Sequence, residues 1–383
     1  MSVLMILGLG SIGTHVLDMM TKMTRNQDVH FVLVGRNTDL LVRKSNMAML
    51  TASQFGVYPQ ISFETVDLTD LDAIAEAIQK HRPNVLFNAA SIQSWRIVTE
   101  LPQQAYREIN RAYLGPWLPM HLSLVYNIAR AIRLSGWKSF FINAAFPDIV
   151  NSVLDKVGLA PDVGIGNVAN VIPALRFATA DFLRKSPQHV TVRCVAHHFI
   201  SHYISRHGYP NPELFHYSAE CDGQDVTSHI DQEKVFSAVP SQFRRLVGLE
   251  GQPMTATSAI KVIMAALHEQ NERLHAPGPR GLPGGYPIHM QGKKVAVDLH
   301  NTFSLEQAIQ INEKAQFLEG VSKIEKDGTV HFSPQNMQIM KDLLGYECHQ
   351  LRIEESYEYA MELRQKYQAF AAAAHRAKEF VGA

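Results

Sequence analysis

The sequence predicts an α/β fold, with a doubly wound parallel sheet in the first half of the chain and an α+β domain in the second. Apolar segments of strand length alternate with helical segments from residue 3 to about residue 165. Such alternation is typical of βαβ units, which form a parallel sheet. Beyond residue 166 the alternation ends. We therefore predict two domains, 1–165 and 166–383.

Each element follows from a local pattern. Apolar runs predict six strands in the first domain, at 3–7, 30–34, 61–66, 84–88, 138–143 and 163–165. Helices are predicted between them at 14–23, 40–53, 70–81 with Asp70 as N-cap, about 103–134, and 148–157. In the second domain we predict a helix at 170–184, strands within 189–203, a hairpin joining 287–290 to 294–299, a strand at 329–333 and a helix from about 354 to 380.

The first predicted strand ends in a glycine-rich turn, which reads Gly8-Leu9-Gly10-Ser11-Ile12-Gly13. This G-x-G-x-x-G spacing between a strand and a helix is typical of the Rossmann fold, where the backbone of the turn binds a pyrophosphate. Gly8 permits the tight turn, Gly10 leaves room for the phosphates and Gly13 lets the helix pack closely. We predict that Gly8, Gly10, Ser11, Ile12 and Gly13 bind a dinucleotide. The alternative is a turn that binds nothing.

The residue that closes the second predicted strand distinguishes the two nicotinamide dinucleotides. An acidic residue there would bind the ribose 2′-hydroxyl of NAD, but the chain has Arg36 followed by Asn37. An arginine can pair with the 2′-phosphate of NADP and stack on adenine, although it can also be a solvated side chain. We predict NADP as the cofactor, with NAD as the alternative, and expect Asp67 and Leu68 to lie beside the adenine.

Parallel sheets bind ligands at the carboxyl ends of their strands. The fourth predicted strand ends in Asn88-Ala89-Ala90 and the fifth ends in Asn143. We expect these residues to contact the cofactor. Ser91 and Arg96 come next after the fourth strand, and we predict that they contact substrate from a mobile loop over the nicotinamide. The alternative for Arg96 is an ordinary surface position.

Parts of the chain resemble known dehydrogenase families. Residues 8–13 and 34–37 resemble the NADP-binding domain of saccharopine dehydrogenases. Residues 67–70 and 82–90 are similar to extended short-chain dehydrogenases/reductases, which implies that the turn Asn88-Ala89-Ala90 lies against the cofactor. The catalytic Tyr-x-x-x-Lys of that family is interrupted here, because Arg130 follows Tyr126 at the position of the lysine.

A third resemblance, to lactate/malate dehydrogenases, covers about residues 107–208. Residues 107–110, 141–148 and 163–177 carry it, and it implies a Rossmann fold, a nicotinamide cofactor and a histidine in the following segment. Asn170 and Pro173 stand where that family has its Asp-x-x-Arg pair.

The densest group of chemically active side chains is the segment 197–208, with four histidines and one arginine. A carbonyl reductase needs a group that gives a proton to the developing alkoxide, and histidine has a suitable pKa. We predict His198 or His197 as this acid/base, with His202 and Arg206 lining the site. On a strand, His198 and His202 would share one face. A structural role and a metal site are the alternatives, the second without an acidic ligand nearby.

The composition excludes several kinds of partner. Lys plus Arg and Asp plus Glu both number 36, so the net charge is zero, and we expect neither nucleic acid nor a membrane as partner. The three cysteines form no C-x-x-C, and we therefore expect no metal site and a location in the reducing cytoplasm.

The sequence predicts a homodimeric NADP-dependent oxidoreductase of a small carbonyl, imine or hydroxyl substrate, of saccharopine- or opine-dehydrogenase type. A lactate/malate-type 2-hydroxy-acid dehydrogenase and a non-catalytic dinucleotide sensor are the alternatives.

Overall fold

The computed structural model describes residues 1–23, 28–300 and 302–381. Strands β1 to β15 cover Ser2–Leu7, Val29–Gly35, Gln60–Thr65, Val85–Asn88, Phe140–Asn143, Val163–Gly164, Val190–Ala196, Phe215–Cys221, Gln224–Asp225, Asn271–Pro277, Gly285–Gln291, Lys294–Val297, Val321–Ile324, Val330–Phe332 and Gln350–Leu351. Helices α1 to α13 cover Ser11–Met23, Thr38–Ser53, Leu71–His81, Gln103–Ile109, Leu118–Ser135, Pro147–Asp155, Val168–Leu183, His198–His207, Gln232–Ser241, Gln252–Leu267, Leu305–Glu319, Pro334–Leu344 and Ser356–Val381.

Strands β1 to β6 form one parallel sheet in the order β3-β2-β1-β4-β5-β6. This is the strand order of the doubly wound Rossmann fold, so the predicted fold class is confirmed. The register brings the strand ends together, since Leu7 pairs with both Val34 and Asn88, and Asn88 pairs with Asn143. The turns that follow these strands therefore lie side by side at one edge of the sheet.

The second half of the chain is mixed α and β, as predicted. It contains three antiparallel three-stranded sheets, β7-β8-β9, β10-β11-β12 and β13-β14-β15. The predicted hairpin is formed by β11 and β12.

Hydrophobic clusters on both faces of the parallel sheet contain residues from both sides of position 165. One cluster joins α3 and α5 to the C-terminal helices α12 and α13.

The predicted long helix at 103–134 is wrong. The structure has α4 and α5 instead, separated by two 3-10 turns at Asn110–Ala112 and Gly115–Trp117. Between the two turns Tyr113 has φ 54 and ψ −165, which lies outside helical geometry and breaks the helix there. A Cβ atom on Gly115 would lie 2.6 Å from the carbonyl oxygen of Glu319, so the chain here passes closely against the end of α11.

The prediction of strands throughout 189–203 is wrong in its second half. Strand β7 ends at Ala196, and α8 begins at His198. His197 is the N-cap of α8, and its Nδ1 accepts a hydrogen bond from the backbone N–H of Phe199. His198 and His202 still share a face, because residues four apart are neighbours on a helix. The histidine segment is thus a strand-to-helix junction.

No helix in the described ranges has both the length and the apolar composition needed to cross a membrane.

Candidate active site

The glycine turn between β1 and α1 has the geometry that the motif predicts. Gly8 has φ +89, and a Cβ atom there would lie 2.7 Å from the Cβ of Ala90. A Cβ on Gly13 would overlap the carbonyl oxygen of Gly8, which is how α1 packs so closely on the turn. A Cβ on Gly10 would meet nothing within 4 Å. Helix α1 begins at Ser11, so its N-terminal N–H groups lie beside the open position at Gly10.

A groove of about 760 Å³ runs along this edge of the sheet. Most of the predicted cofactor and loop residues line it: Gly8, Gly10, Ser11, Ile12, Arg36, Asn37, Asp67, Leu68, Ala89, Ala90, Ser91 and Arg96. The volume is within the ordinary range of small-molecule sites. The open backbone at Gly10 and the helix N-terminus fit a pyrophosphate, so the residues present fit a dinucleotide.

The turns after β2 and β3 form one part of the groove. Arg36 is exposed there, and Asn37 uses its side-chain oxygen to cap α2 at the N–H of Leu40. Asp67 accepts hydrogen bonds from the backbone and side chain of Thr69. Those bonds and the nearby charge of Arg36 hold the pKa of Asp67 below its ordinary value, against the effect of burial.

Asn88 and Asn143 are fully buried and bond to their own turns. Each side-chain oxygen accepts the N–H two residues on, from Ala90 and Ala145. Asn88 Nδ2 also donates to Asn143 Oδ1, Asn143 donates to Asn151, and Asn151 donates to the carbonyl of Gly278. These side chains stabilise the turns that follow β4 and β5. Their predicted contact with a cofactor stays a prediction.

His198 is held from two sides at the start of α8. Its backbone N–H donates to Oδ1 of Asp148 at 2.8 Å, and its Nδ1 lies 2.8 Å from Oε2 of Glu319. Asp148 is fully buried in the first turn of α6 and also accepts a short hydrogen bond from Asn167. Since Nδ1 is occupied by Glu319, Nε2 is the nitrogen of His198 that can reach a ligand.

Glu319 is a buried carboxylate at the last position of α11. Its Oε1 accepts the backbone N–H of Leu114 at 3.2 Å. Burial alone would raise its pKa, but the charge and hydrogen bond of His198 outweigh burial and hold the pKa low. In turn, burial would lower the pKa of His198, but the charge and hydrogen bond of Glu319 raise it. The geometry therefore favours an imidazolium–carboxylate pair.

In two neighbouring histidines the pKa is lowered, whereas that of His198 is raised. The ring of His202 lies against that of His198, with centroids 4.2 Å apart and the two planes tilted by 39°. Although His202 is exposed at the cavity, desolvation by the surrounding protein, followed by the charges of His198, Arg206 and Arg245, lowers its pKa well below the ordinary value. His197 is completely buried, and burial lowers its pKa as well. Only His198 among the three predicted candidates combines a raised pKa with access to a cavity.

That cavity has a volume of about 320 Å³ and is largely apolar and aromatic. Its walls include Trp95, Tyr113, Phe199 and Tyr203 together with Asn110, Leu114, His198, His202, Arg206, His207 and Glu319. We call it the histidine cavity. The groove along the sheet edge lies next to it, because Ser94 and Arg96 line the groove while Trp95 lines the cavity. Arg96 itself pairs with Glu100 at 3.1 Å.

His121 of α5 connects the two spaces and was not predicted. It lines the groove, and its ring contacts the ring of Phe146, which also contacts the ring of His198. Neither ring nitrogen of His121 has a hydrogen-bond partner in the described part of the chain. Burial, followed by the charge of His198, lowers its pKa to about 4. Phe146 has φ 45, a strained value for a non-glycine residue.

Glu319 and Asp148 were also missed. Glu319 lies 121 positions from His198, so no local pattern connects them. One signal was available, because an acidic residue at the last position of a helix is unfavourable towards the helix dipole and needs a partner elsewhere. No group of three or more His, Cys, Asp or Glu side chains arranged as a metal site occurs within 1–23, 28–300 and 302–381.

The strand order, the glycine turn and the α+β region that follows together define a Rossmann-type fold with an α+β second half. Solved structures with this fold include the malate dehydrogenase of Plasmodium falciparum in complex with NADH, with a TM-score of 0.54 and 13% sequence identity over 83% of this chain and 97% of that chain. The malate dehydrogenase of Cryptosporidium parvum matches with a TM-score of 0.55 and 13% identity over 83% and 98%.

A lactate dehydrogenase of Cryptosporidium parvum, complexed with lactic acid and nicotinamide adenine dinucleotide, matches with a TM-score of 0.54 and 14% identity over 83% of this chain and 96% of that chain. At these identities the likeness shows a shared fold. No protein-family model matches the chain, and no curated protein matches it.

Proposed function

We propose that the protein is a dehydrogenase that interconverts a small hydroxy acid and the corresponding oxo acid, with a nicotinamide dinucleotide as cofactor. The observation that carries this proposal is His198, whose ring is paired with buried Glu319 at the wall of a cavity beside the dinucleotide groove. The fold shared with malate and lactate dehydrogenases supports this alternative over the saccharopine- or opine-type reaction.

The proposed chemistry divides between cofactor and protein. When bound, the cofactor supplies or accepts the hydride. In the reduction direction His198 donates a proton through Nε2 to the developing alkoxide, and Glu319 stabilises its charged form before transfer. The guanidinium of Arg206 at the same cavity binds the substrate carboxylate. Trp95 and Tyr113 give the same cavity an aromatic wall for the side chain of the substrate.

Arg36 supports NADP(H) as the cofactor within this proposal. It is exposed at the position that binds the 2′-substituent in Rossmann folds, and the turn after β2 has no acidic residue at that place. Fluorescence titration with NADPH and NADH tests the preference. We expect tighter binding of NADPH and its loss in Arg36→Gln. Equal affinities for the two cofactors in the unmodified protein would contradict the NADP assignment.

A panel of 2-oxo acids with small and aromatic side chains tests the reaction itself, with NADPH and NADH oxidation as the readout. Matched imines, formed from the same oxo acids with an added amine, test the saccharopine- or opine-type alternative in the same assay. We expect oxo-acid-dependent oxidation that does not need the amine. Cofactor binding without oxidation for any substrate would favour a dinucleotide sensor instead.

A further inference from the structure

The C-terminal helix contributes a wall to the dinucleotide groove. Tyr357, Met361 and Arg364 of α13 line the same continuous space as the glycine turn and Arg36. Their spacing of four and then three residues places them on one face of the helix. A helix that ends the second half of the chain therefore reaches the cofactor site of the first half.

The neighbouring face of α13 fixes that face in position. Ala360, Leu363 and Tyr367 are buried in the cluster that contains α3 and α5. The hydroxyl of Tyr367 donates to the carbonyl of Ile97 at 3.0 Å, and its ring packs edge-to-face on Trp117. The groove-lining face of α13 is thus held by the core as well as by the loop that separates the groove from the histidine cavity.

The groove-lining face of α13 combines two exposed apolar side chains with one arginine. Tyr357 is 44% exposed and Met361 is 37% exposed, and both border the groove. Arg364 is half-buried, and the hydrogen bonds and ion pairs of the described chain include none to it. A ligand with flat rings and phosphate groups would cover the first two residues and pair with the third.

The charges around the groove point in the same direction. The charged residues lining it are three arginines, Arg36, Arg96 and Arg364, and one acid, Asp67. Arg96 is paired with Glu100, and Arg36 lies close enough to Asp67 to lower the pKa of that carboxyl, after the hydrogen bonds of Thr69. Arg36 is the proposed partner of the 2′-phosphate, which leaves Arg364 as the lining cation available to another phosphate group of the ligand.

We propose that Arg364 binds a phosphate group of the dinucleotide and that Tyr357 packs on the same ligand, so that α13 is part of the cofactor site. This rests on the proposed function, because it needs a dinucleotide in the groove. A guanidinium suits the role, since it pairs with two phosphate oxygens at once. The pyrophosphate and the 2′-phosphate of NADP offer the same chemistry, and binding measurements separate them.

The test is the Kd of NADPH and of NADH, measured by fluorescence titration for the unmodified protein, Arg364→Gln and Arg364→Lys. Arg376→Gln is the matched control, since Arg376 is exposed further along the same helix and does not line the groove. We expect Arg364→Gln to weaken binding about tenfold or more, which corresponds to the loss of a charged hydrogen bond. Arg364→Lys should lose less, and Arg376→Gln should bind normally.

The pattern over the two cofactors locates the contact. Equal weakening for NADPH and NADH assigns Arg364 to the pyrophosphate, and weakening for NADPH alone assigns it to the 2′-phosphate. Thermal unfolding without ligand checks that each variant is folded. Unchanged Kd values in folded Arg364→Gln would overturn the role of Arg364 while leaving the proposed function intact. Absence of binding in the unmodified protein would overturn both proposals.

Discussion

Nδ1 of His198 lies 2.8 Å from Oε2 of Glu319, and the two residues come from helices 121 positions apart in the chain. The pair is buried on the glutamate side, where the carboxylate is 3% exposed, and open on the histidine side, where the ring is 14% exposed. Each partner shifts the pKa of the other towards the charged form. The pair therefore keeps a proton at the cavity wall at a pH where a free histidine would have begun to lose it.

Glu319→Gln should move the pH dependence of carbonyl reduction. Reduction needs protonated His198, so its rate falls as pH rises through the pKa of that ring. Glu319 raises this pKa more than Asp148 does, and the amide keeps an oxygen for the N–H of Leu114 while removing the charge. We expect the fall in kcat/KM to begin at lower pH in the variant. Glu313→Gln, an exposed change on the same helix, is the control, and an identical profile for Glu319→Gln would refute the pairing argument.

His198→Gln should lose far more activity than His202→Gln. Removing a general acid typically costs about 10²- to 10⁴-fold in rate, whereas desolvation and the charge of His198 lower the pKa of His202 and make it a poor proton donor. We expect NADPH affinity to be nearly unchanged in both, because neither residue lines the groove. Steady-state kinetics and cofactor titration measure the two effects. A comparable loss of kcat in His202→Gln would move the acid role to that residue.

Gly10→Ala and Gly13→Ala should fail in different ways. A methyl group on Gly10 meets no protein atom within 4 Å, so the variant should unfold at nearly the normal temperature but bind dinucleotide at least tenfold more weakly. A methyl group on Gly13 collides with the carbonyl of Gly8, so this variant should be destabilised by several kcal/mol, as overpacked sites are. Calorimetry with and without NADPH separates the two. Normal cofactor affinity in Gly10→Ala would contradict a pyrophosphate at that turn.

His121→Leu should reduce the loss of stability in acid. The pKa of His121 is lowered from 6.5 to about 4 in the folded state, so the unfolded chain binds the proton more readily. The free energy of unfolding therefore falls as pH drops from about 6.5 to about 4, by up to about 3 kcal/mol for this group. Leucine removes the proton site and two unpartnered ring nitrogens. Urea denaturation between pH 4 and 7 measures how the free energy of unfolding changes with pH, with His268→Asn at an exposed position as the control. The same pH dependence in His121→Leu and the unmodified protein would show that His121 does not cause the loss.

Local patterns predicted the first half of the fold well. The glycine turn, the six apolar runs and the Asp70 cap, which accepts the N–H of Ala73, all follow from residues close together in the sequence. The failures occurred where distant contacts decide the backbone. The break between α4 and α5 accommodates the end of α11 against Gly115, and nothing near residue 115 announces that contact.

The site was predicted only in part for the same reason. The histidine segment was found because its residues are adjacent in sequence, although the strand assigned to it ended at Ala196 and a helix began at His198. Glu319, which bonds to the ring of His198, lies on α11. His121, which contacts His198 by way of the ring of Phe146, lies on α5. Spacing along the chain carries no information about such pairs.

The hydrophobic cluster that joins α3 and α5 to α12 and α13 limits how the molecule can be divided. A fragment that stops at residue 165 would leave α5 without the side chains of Leu363 and Tyr367 that cover it. Exchange of the second half with that of another Rossmann-fold protein at this boundary would create the same gap. Any chimera that keeps the parallel-sheet half must therefore keep α13 with it, as a discontinuous unit built from both ends of the chain.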